Sequence, residues 1–316
     1  MTVKAASRLQ KFRSITSTAT ISFLRRFEAT RQKNITGMRK ELAEYLSQHY
    51  NSVQAAHPHE GRRRWQLRVL DQFWASNPAP PSSAAQDVEI ATEDEDPFDS
   101  VISNVAGGVA LRTDFTDEDA WRSFHERLKE AQKEMTGDEN PQASSSTTAT
   151  TDTTNDTENP EDEDEDSDEE EGMIIKVVNP EMPEERALFE NISNLTALRL
   201  FNDVDIRPSP ALPQGTKRIS PPHRLVDRSG WQEIYTGLNL WIYDKQSNAD
   251  KSVRLVSLEG DVYGTATGDS WRAQVSHIYE LQVNMLTGMK INFGGMDRWD
   301  YSERKRNLDE ALIPIT

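Results

Sequence analysis

The chain has 316 residues, 28% of them charged and 35% hydrophobic, with a formal net charge of −17 and no cysteine. This length suits one or two domains. The lack of cysteine excludes disulfides, a cysteine zinc site and a thiol nucleophile, and no apolar run reaches the ~18 residues of a membrane-spanning helix. Charge is segregated: residues 1–76 carry a net +9, residues 77–172 a net −24 and residues 173–316 a net −2. The acidity therefore belongs to the middle of the chain, behind a basic arm.

Residues 1–27 contain no acid and hold Lys4, Arg8, Lys11, Arg13, Arg25 and Arg26 among many Ser and Thr. That composition suits a mitochondrial transit segment or a plain basic tail. No apolar core follows these cations, so a secretory signal is not expected. The expected location is intracellular, cytoplasm or nucleus, with the mitochondrion as the alternative.

Residues 36–50 read as a helix capped by Thr36, with Met38, Leu42, Tyr45 and Leu46 on one stripe. Residues 60–75 repeat the pattern: Trp65, Val69, Leu70, Phe73 and Trp74 follow Arg62-Arg63-Arg64. Such stripes need cover, from each other, the main domain or another protein. Basic residues interleaved with Trp65 open a nucleic-acid reading, against which stand the shortness of the patch and the competing acidic region. Residues 77–97, with Pro78, Pro80 and Pro81 and the acids 93–96, read as a disordered linker.

Gly107-Gly108 reads as a turn, residues 109–112 as a short strand, and Thr116 with Asp119 as a capping box. Trp121, Phe124, Leu128 and Ala131 then recur on one helical face. Residues 138–172 are low-complexity and end in the acids 161–171, whose repulsion favours an extended chain. Ser167 among them is a candidate phosphosite. Residues 174–178 form a β-branched run bounded by Asn179-Pro180 and read as a buried strand. Strand, helix, tract and strand make a βαβ unit, with parallel, right-handed pairing as the default. The acidic tract is thus an insertion in one domain.

Further on, residues 184–202 read as one helix, and residues 208–222 as an irregular loop rich in proline, with Lys217, Arg218, Arg224 and Arg228 in or beside it. Residues 238–243 and 253–258 read as an antiparallel pair joined by a polar loop. Tyr279, Leu281, Val283 and Met285 alternate with polar residues, as do Met289, Ile291 and Phe293 after Thr287-Gly288, which predicts a hairpin. Residues 302–312 close with a helix. The expected fold is α/β or α+β: a mixed sheet with flanking helices over residues 98–316, a disordered acidic insertion at 138–172, and a partly helical basic arm at 1–76.

The segment Leu111-Arg112-Thr113-Asp114-Phe115-Thr116-Asp117-Glu118-Asp119-Ala120-Trp121 resembles the opening of a family of bacterial and fungal proteins, read as R-T-D-F-[ST]-D-x-x-A-W. Trp271, Glu280, Asn284 and Met289-Lys290-Ile291-Asn292-Phe293 are similar to that family's C-terminal part. The resemblance covers residues 105–135 and 173–300 and leaves out the basic arm. The family's function is undefined, so it implies a domain boundary and no catalytic residue.

Arg112 and Asp114 flank Thr113 at a strand's end, where ligands bind in open α/β sheets; they are the candidate ligand-binding residues, weighed against a buried ion pair and a helix-entry turn. The Gly264-to-Ser270 loop resembles a phosphate cradle or a nucleophile turn, but Asp269 stands where a P-loop needs lysine and His277 lacks an orienting acid. A structural turn is the favoured reading. The six histidines show no His-x-x-x-His spacing, so neither a metal nor another cofactor is expected. Trp231, Trp241, Trp271 and Trp299 suit core positions. No catalytic set emerges. The leading expectation is a non-enzymatic protein-interaction or adaptor protein. The alternatives are a small enzyme or ligand binder at Arg112 and Asp114, or nucleic-acid association through the arm.

Overall fold

The computed structural model describes residues 38–82, 87–88, 94–136, 173–211, 214–215, 221–262, 264–293 and 300–315. The fold is α+β, built on a mixed five-stranded sheet. In chain order, β1 (Met38–Arg39), α1 (Lys40–Ala56), α2 (Arg62–Ala75) and β2 (Asp87–Val88) precede β3 (Val105–Arg112), α3 (Glu118–Thr136) and β4 (Met173–Val178). Then come α4 (Pro183–Phe189), α5 (Asn194–Phe201), β5 (Asp203–Pro208), β6 (Trp231–Thr236) and β7 (Asn239–Tyr243). The chain continues with α6 (Lys245–Asp250), β8 (Ser252–Val256), β9 (Ser270–Gln274), α7 (Ile278–Leu286) and α8 (Tyr301–Ala311).

The main sheet runs β4-β3-β7-β8-β9. β3 is parallel to both β4 and β7, whereas β8 and β9 are antiparallel additions. The βαβ unit and the β7–β8 antiparallel pair expected from the apolar runs are both present. Side chains alternate across the sheet. Val109, Leu111, Leu240, Ile242 and Val256 enter one core with α1, α2, α5 and the β5–β6 pair. Ala110, Trp241, Tyr243, Val253 and Leu255 enter a second core with Trp121, Phe124 and Leu128 of α3 and Ile278 and Tyr279 of α7. Helices thus cover both faces, and β3 is buried at all eight positions. That is why its sequence is apolar up to Arg112.

Gly107 and Gly108 belong to β3, not to a turn before it. A Cβ on Gly107 would stand 2.8 Å from Gln282 Nε2 and 2.9 Å from the Ile174 carbonyl oxygen; one on Gly108 would stand 2.7 Å from Gln282 Oε1. The two glycines let α7 lie directly on the sheet. There Gln282, fully buried, accepts the Trp241 indole N–H at 2.9 Å. The first arm of the hairpin expected over 278–293 is accordingly an α-helix, and the second arm, residues 289–293, forms no strand. The buried residues of the helix are Ile278, Tyr279 and Gln282, a helical spacing that the alternation of Tyr279, Leu281, Val283 and Met285 conceals. The helix ends at Thr287, and Gly288 follows at φ 104°.

Three smaller expectations also change. The cap of α3 is Asp117, whose Oδ1 accepts the Ala120 N–H at 2.9 Å, while the Thr116 hydroxyl turns to Asp114. The helix expected over 184–202 is two, α4 and α5, broken at Asn191 (φ 50°); Ser193 then caps α5 through the Thr196 N–H at 2.9 Å. The polar loop between β7 and β8 is α6, closed by an Asp244–Ser247 capping box and a left-handed Lys251 at φ 56°. Thr36, Ser167, Lys217, Arg218, Trp299, residues 1–27 and residues 138–172 lie outside the described residues.

The stripes of α1 and α2 are covered from within. Leu42, Leu46, Val53, Trp65, Leu70 and Trp74 share one core with Leu195, Phe201, Val204 and Ile206. Arg63 donates to Asp96 at 2.8 Å and to Asp99 at 2.7 Å, and Arg62 pairs with Asp203 at the start of β5. Asp94 accepts the Tyr50 hydroxyl at 2.9 Å. The end of the segment read as a linker is therefore seated on the helices that precede it. Removing the space at Gly107 tests the helix-on-sheet contact. Gly107→Ala is expected to destabilise the protein by about 2 kcal/mol in urea unfolding, because the Ile174 carbonyl cannot move aside.

Candidate functional site

The chain leaves β3 toward β4 and leaves β7 toward β8, in opposite directions across the sheet. The carboxyl ends of these adjacent parallel strands thus form a topological switch, the usual ligand crevice of an open α/β sheet. Arg112 and Asp114 stand there. Arg112 is completely buried. Its Nε donates to the Asp114 carbonyl at 2.9 Å, and its Nη1 donates to Glu118 at 2.9 Å and to Asn179 at 3.2 Å. The guanidinium carbon lies 4.9 Å from the ring centres of both Phe115 and Trp121, a cation–π setting for Nη2, which has no hydrogen-bond partner. Glu118 also faces Arg186 at 3.5 Å. Arg112 therefore ties β3, the start of α3 and the end of β4 together.

Asp114 forms a local turn. Its Oδ1 accepts the Thr116 N–H at 3.0 Å, the Thr116 hydroxyl at 2.6 Å and the Asn248 amide at 2.9 Å. Partial burial pushes its pKa up, but the bonds from Thr116 and Asn248 and the charge of Lys245 outweigh this and hold it below the ordinary carboxylate value. A carboxylate held ionised in this way suits positioning rather than proton exchange.

The Gly264-to-Ser270 loop lies at the other end of the sheet. Ser270 pairs with Val256, whereas Arg112 pairs with Tyr243, so strand direction keeps the two candidate sets apart. The loop is a structural turn. Gly264 and Gly268 have φ of 81° and 88°. The Gly268 carbonyl accepts from Asn194 at 2.8 Å and from Asn307 at 3.0 Å. Asp269 is paired with Arg304 at 2.6 Å. Ser270 is buried, and His277 is exposed beside Glu280 at 3.9 Å. Among the described residues, no three His, Cys, Asp or Glu side chains converge as metal ligands.

The sequence also gave no sign of a buried polar network in the larger core. Glu233, fully buried, accepts the Tyr235 hydroxyl at 2.7 Å and faces Arg224 Nε at 3.0 Å. Arg224 reaches Asp71 of α2 at 2.6 Å. The cations beside Trp65 are likewise internal: Arg68 is held by Glu60 at 2.6 Å, and Trp65 itself is buried with its indole N–H on the His57 carbonyl at 2.8 Å. The arginines that suggested nucleic acid are largely spent on carboxylates of the same chain, and Trp65 offers no face for stacking.

Two clefts remain. One, of about 490 Å³, lies where β7 begins and β8 ends, between the β8–β9 turn and the tail of α7. Its apolar lining includes Leu258, Val262, Met285, Met289, Ile291 and Phe293. The other, of about 550 Å³, lies against α1 beside β2. Compared with family models, curated proteins and solved structures, the chain matches none.

Two measurements separate fixed from reactive groups. Arg112→Ala is expected to cost about 3 kcal/mol in chemical unfolding, because it opens a cavity and strands Asn179 and the Asp114 carbonyl. Arg112→Met, which keeps the volume, is expected to recover at least half of that loss. Burial lifts Asp269 from 3.8 to about 6 against the pull of Arg304. A folded-state pKa above the unfolded one means that the native state holds the proton more tightly. This contribution to stability is complete below the unfolded value near 4 and is lost as pH rises through about 6. Thermal unfolding of Asp269→Asn is therefore expected to lack a loss of stability between pH 4 and 6 that the wild type shows.

Proposed function

We propose that this chain is a non-enzymatic protein-interaction or adaptor protein and that its contact surface is the cleft between the β8–β9 turn and the tail of α7. The observation that carries this reading is the cleft's exposed apolar content. Met289 is 37% exposed and Val262 43% exposed. Half-buried Met285, Ile291, Phe293 and Leu258 continue that surface inward. Contiguous exposed apolar surface marks interaction sites, and methionine adapts its shape to a partner at low cost. Arg207, Glu259, Asp261 and Lys290 ring the cleft with both signs of charge, a polar rim around an apolar centre. The polar groups with catalytic potential favour the same reading, since Arg112, Asp114 and Asp269 are bonded within the fold. The amphipathic stripes of α1 and α2 no longer argue for a partner, because the core covers them. Among the described residues, no helix is long and apolar enough to cross a membrane.

The test replaces exposed side chains only. A Val262→Glu, Met289→Glu double variant is expected to unfold within a few degrees of the wild type. From native extract it is expected to retain at least tenfold less of any protein that the wild type captures. Met182→Glu, on an exposed residue outside the cleft, serves as the control and is expected to retain the wild-type amount. Equal capture by the double variant would overturn the assignment.

A further inference from the structure

The second cleft lies apart from the proposed contact surface and carries an independent inference. Ala43, Leu46 and Tyr50 of α1 and Val88 of β2 form its apolar lining, and Lys40, Glu44, Ser47 and Asn51 its polar lining. Its volume of about 550 Å³ falls within the ~300–1,000 Å³ of small-molecule sites. Lys40 and Glu44 face each other at 3.6 Å, so they present no net charge.

Gln66 of α2 completes the lining. It is 4% exposed, and its Oε1 is buried without a hydrogen-bond partner. The neighbouring polar groups are already engaged. Tyr50 donates its hydroxyl to Asp94 at 2.9 Å, Gln54 donates to the same carboxylate at 3.2 Å, and Arg63 is paired with Asp96 at 2.8 Å. A carboxamide oxygen buried without a partner has lost its hydrogen bonds to water and gained none in return. A bound molecule that hydrogen-bonds to it recovers that loss, and this is how a mostly apolar pocket gains specificity.

We infer that the α1–α2 cleft is a binding site for a small neutral molecule with an aromatic or aliphatic ring and one amide-like group, the ring against Leu46, Tyr50 and Val88 and the amide on the Gln66 carboxamide. A carboxamide offers one acceptor oxygen and two N–H donors, so a primary amide on the ligand can pair with it in both directions. The absence of an unbalanced charge in the lining selects against carboxylates and ammonium groups.

The experiment uses the full chain and two probes of matched shape, 2-naphthamide and naphthalene, followed by ¹H–¹⁵N spectra. Saturable shifts are expected at the Gln66 side-chain amide and at Ser47 and Val88. The amide is expected to bind about tenfold more tightly than the hydrocarbon. Gln66→Leu is expected to erase that ratio while leaving naphthalene binding intact. Ser47→Trp, on an exposed position of α1, is expected to fill the cleft and abolish both. Should Gln66→Leu fail to fold, the ratio in the wild type and the effect of Ser47→Trp still decide. Equal affinity for the two probes, binding unaffected by Ser47→Trp, shifts confined to other regions, or no binding of either probe would each overturn the proposal.

Discussion

Buried guanidinium–carboxylate pairs hold the layers of this protein together. Arg63 of α2 meets Asp96, Arg224 before β6 meets Glu233 and Asp71, Arg254 of β8 meets Glu303 of α8, and Arg304 meets Asp269. Each pair draws two charges out of water, a cost that only close geometry repays. Glu303 shows how far the geometry goes: its other oxygen accepts the Asn194 N–H at 2.6 Å, while Asn307, one turn along α8, accepts that of Leu195 at 3.2 Å. The side chains of α8 thus satisfy the first amides of α5, which otherwise lack partners in a helix. One consequence is that the positive charge of residues 38–76 is mostly internal. The part of the basic arm that is described, residues 38–76, has arginines that hold the fold together, and residues 1–37 lie outside the described residues.

Strands β3, β4, β7 and β8 of the main sheet could be read from the chain because they obey the simplest rule, whereas β9, Ser270–Gln274, has no apolar run to mark it. A strand covered on both faces is mostly apolar, as β3, β4 and β7 are apart from Arg112, Lys176 and Asn239, and α3 shows its buried stripe at helical spacing. Where the reading failed, the deciding contact lay elsewhere in the chain. Gly107-Gly108 looks like a turn until Gln282, far along the sequence, is seen to need the space. The same Gln282 hid α7, because a buried glutamine counts as polar in any pattern although it serves the Trp241 indole. The two helices α4 and α5 look like one because the left-handed Asn191 between them leaves no mark that glycine would have left.

The sites divide along the same line. Arg112 and Asp114 were visible as polar residues at a strand end, and they do meet there, where they brace the β3–α3 turn. Glu233 and Gln66 carry no local signal, since their significance comes from burial and from partners on other elements. The apolar cleft beside Met289 was hidden for a related reason. Its residues were assigned to a hairpin, and only a helix ending at Thr287 turns Met289, Ile291 and Phe293 toward the β8–β9 turn.

The contacts of α2 with residue 315 have a consequence for how the chain matures during synthesis. Asp71 accepts the Ile315 N–H at 2.7 Å, and Arg68 donates to the Ile315 carbonyl at 2.7 Å. The helix pair made first is therefore sealed by residues made more than two hundred positions later. On a ribosome adding ~5–20 residues per second, the apolar faces of α1 and α2 wait roughly 6–30 s for Leu195, Val204 and Trp231, and longer for Ile315. Until then they are uncovered surface of the kind chaperones hold, so the yield of native protein depends on how well that interval is protected.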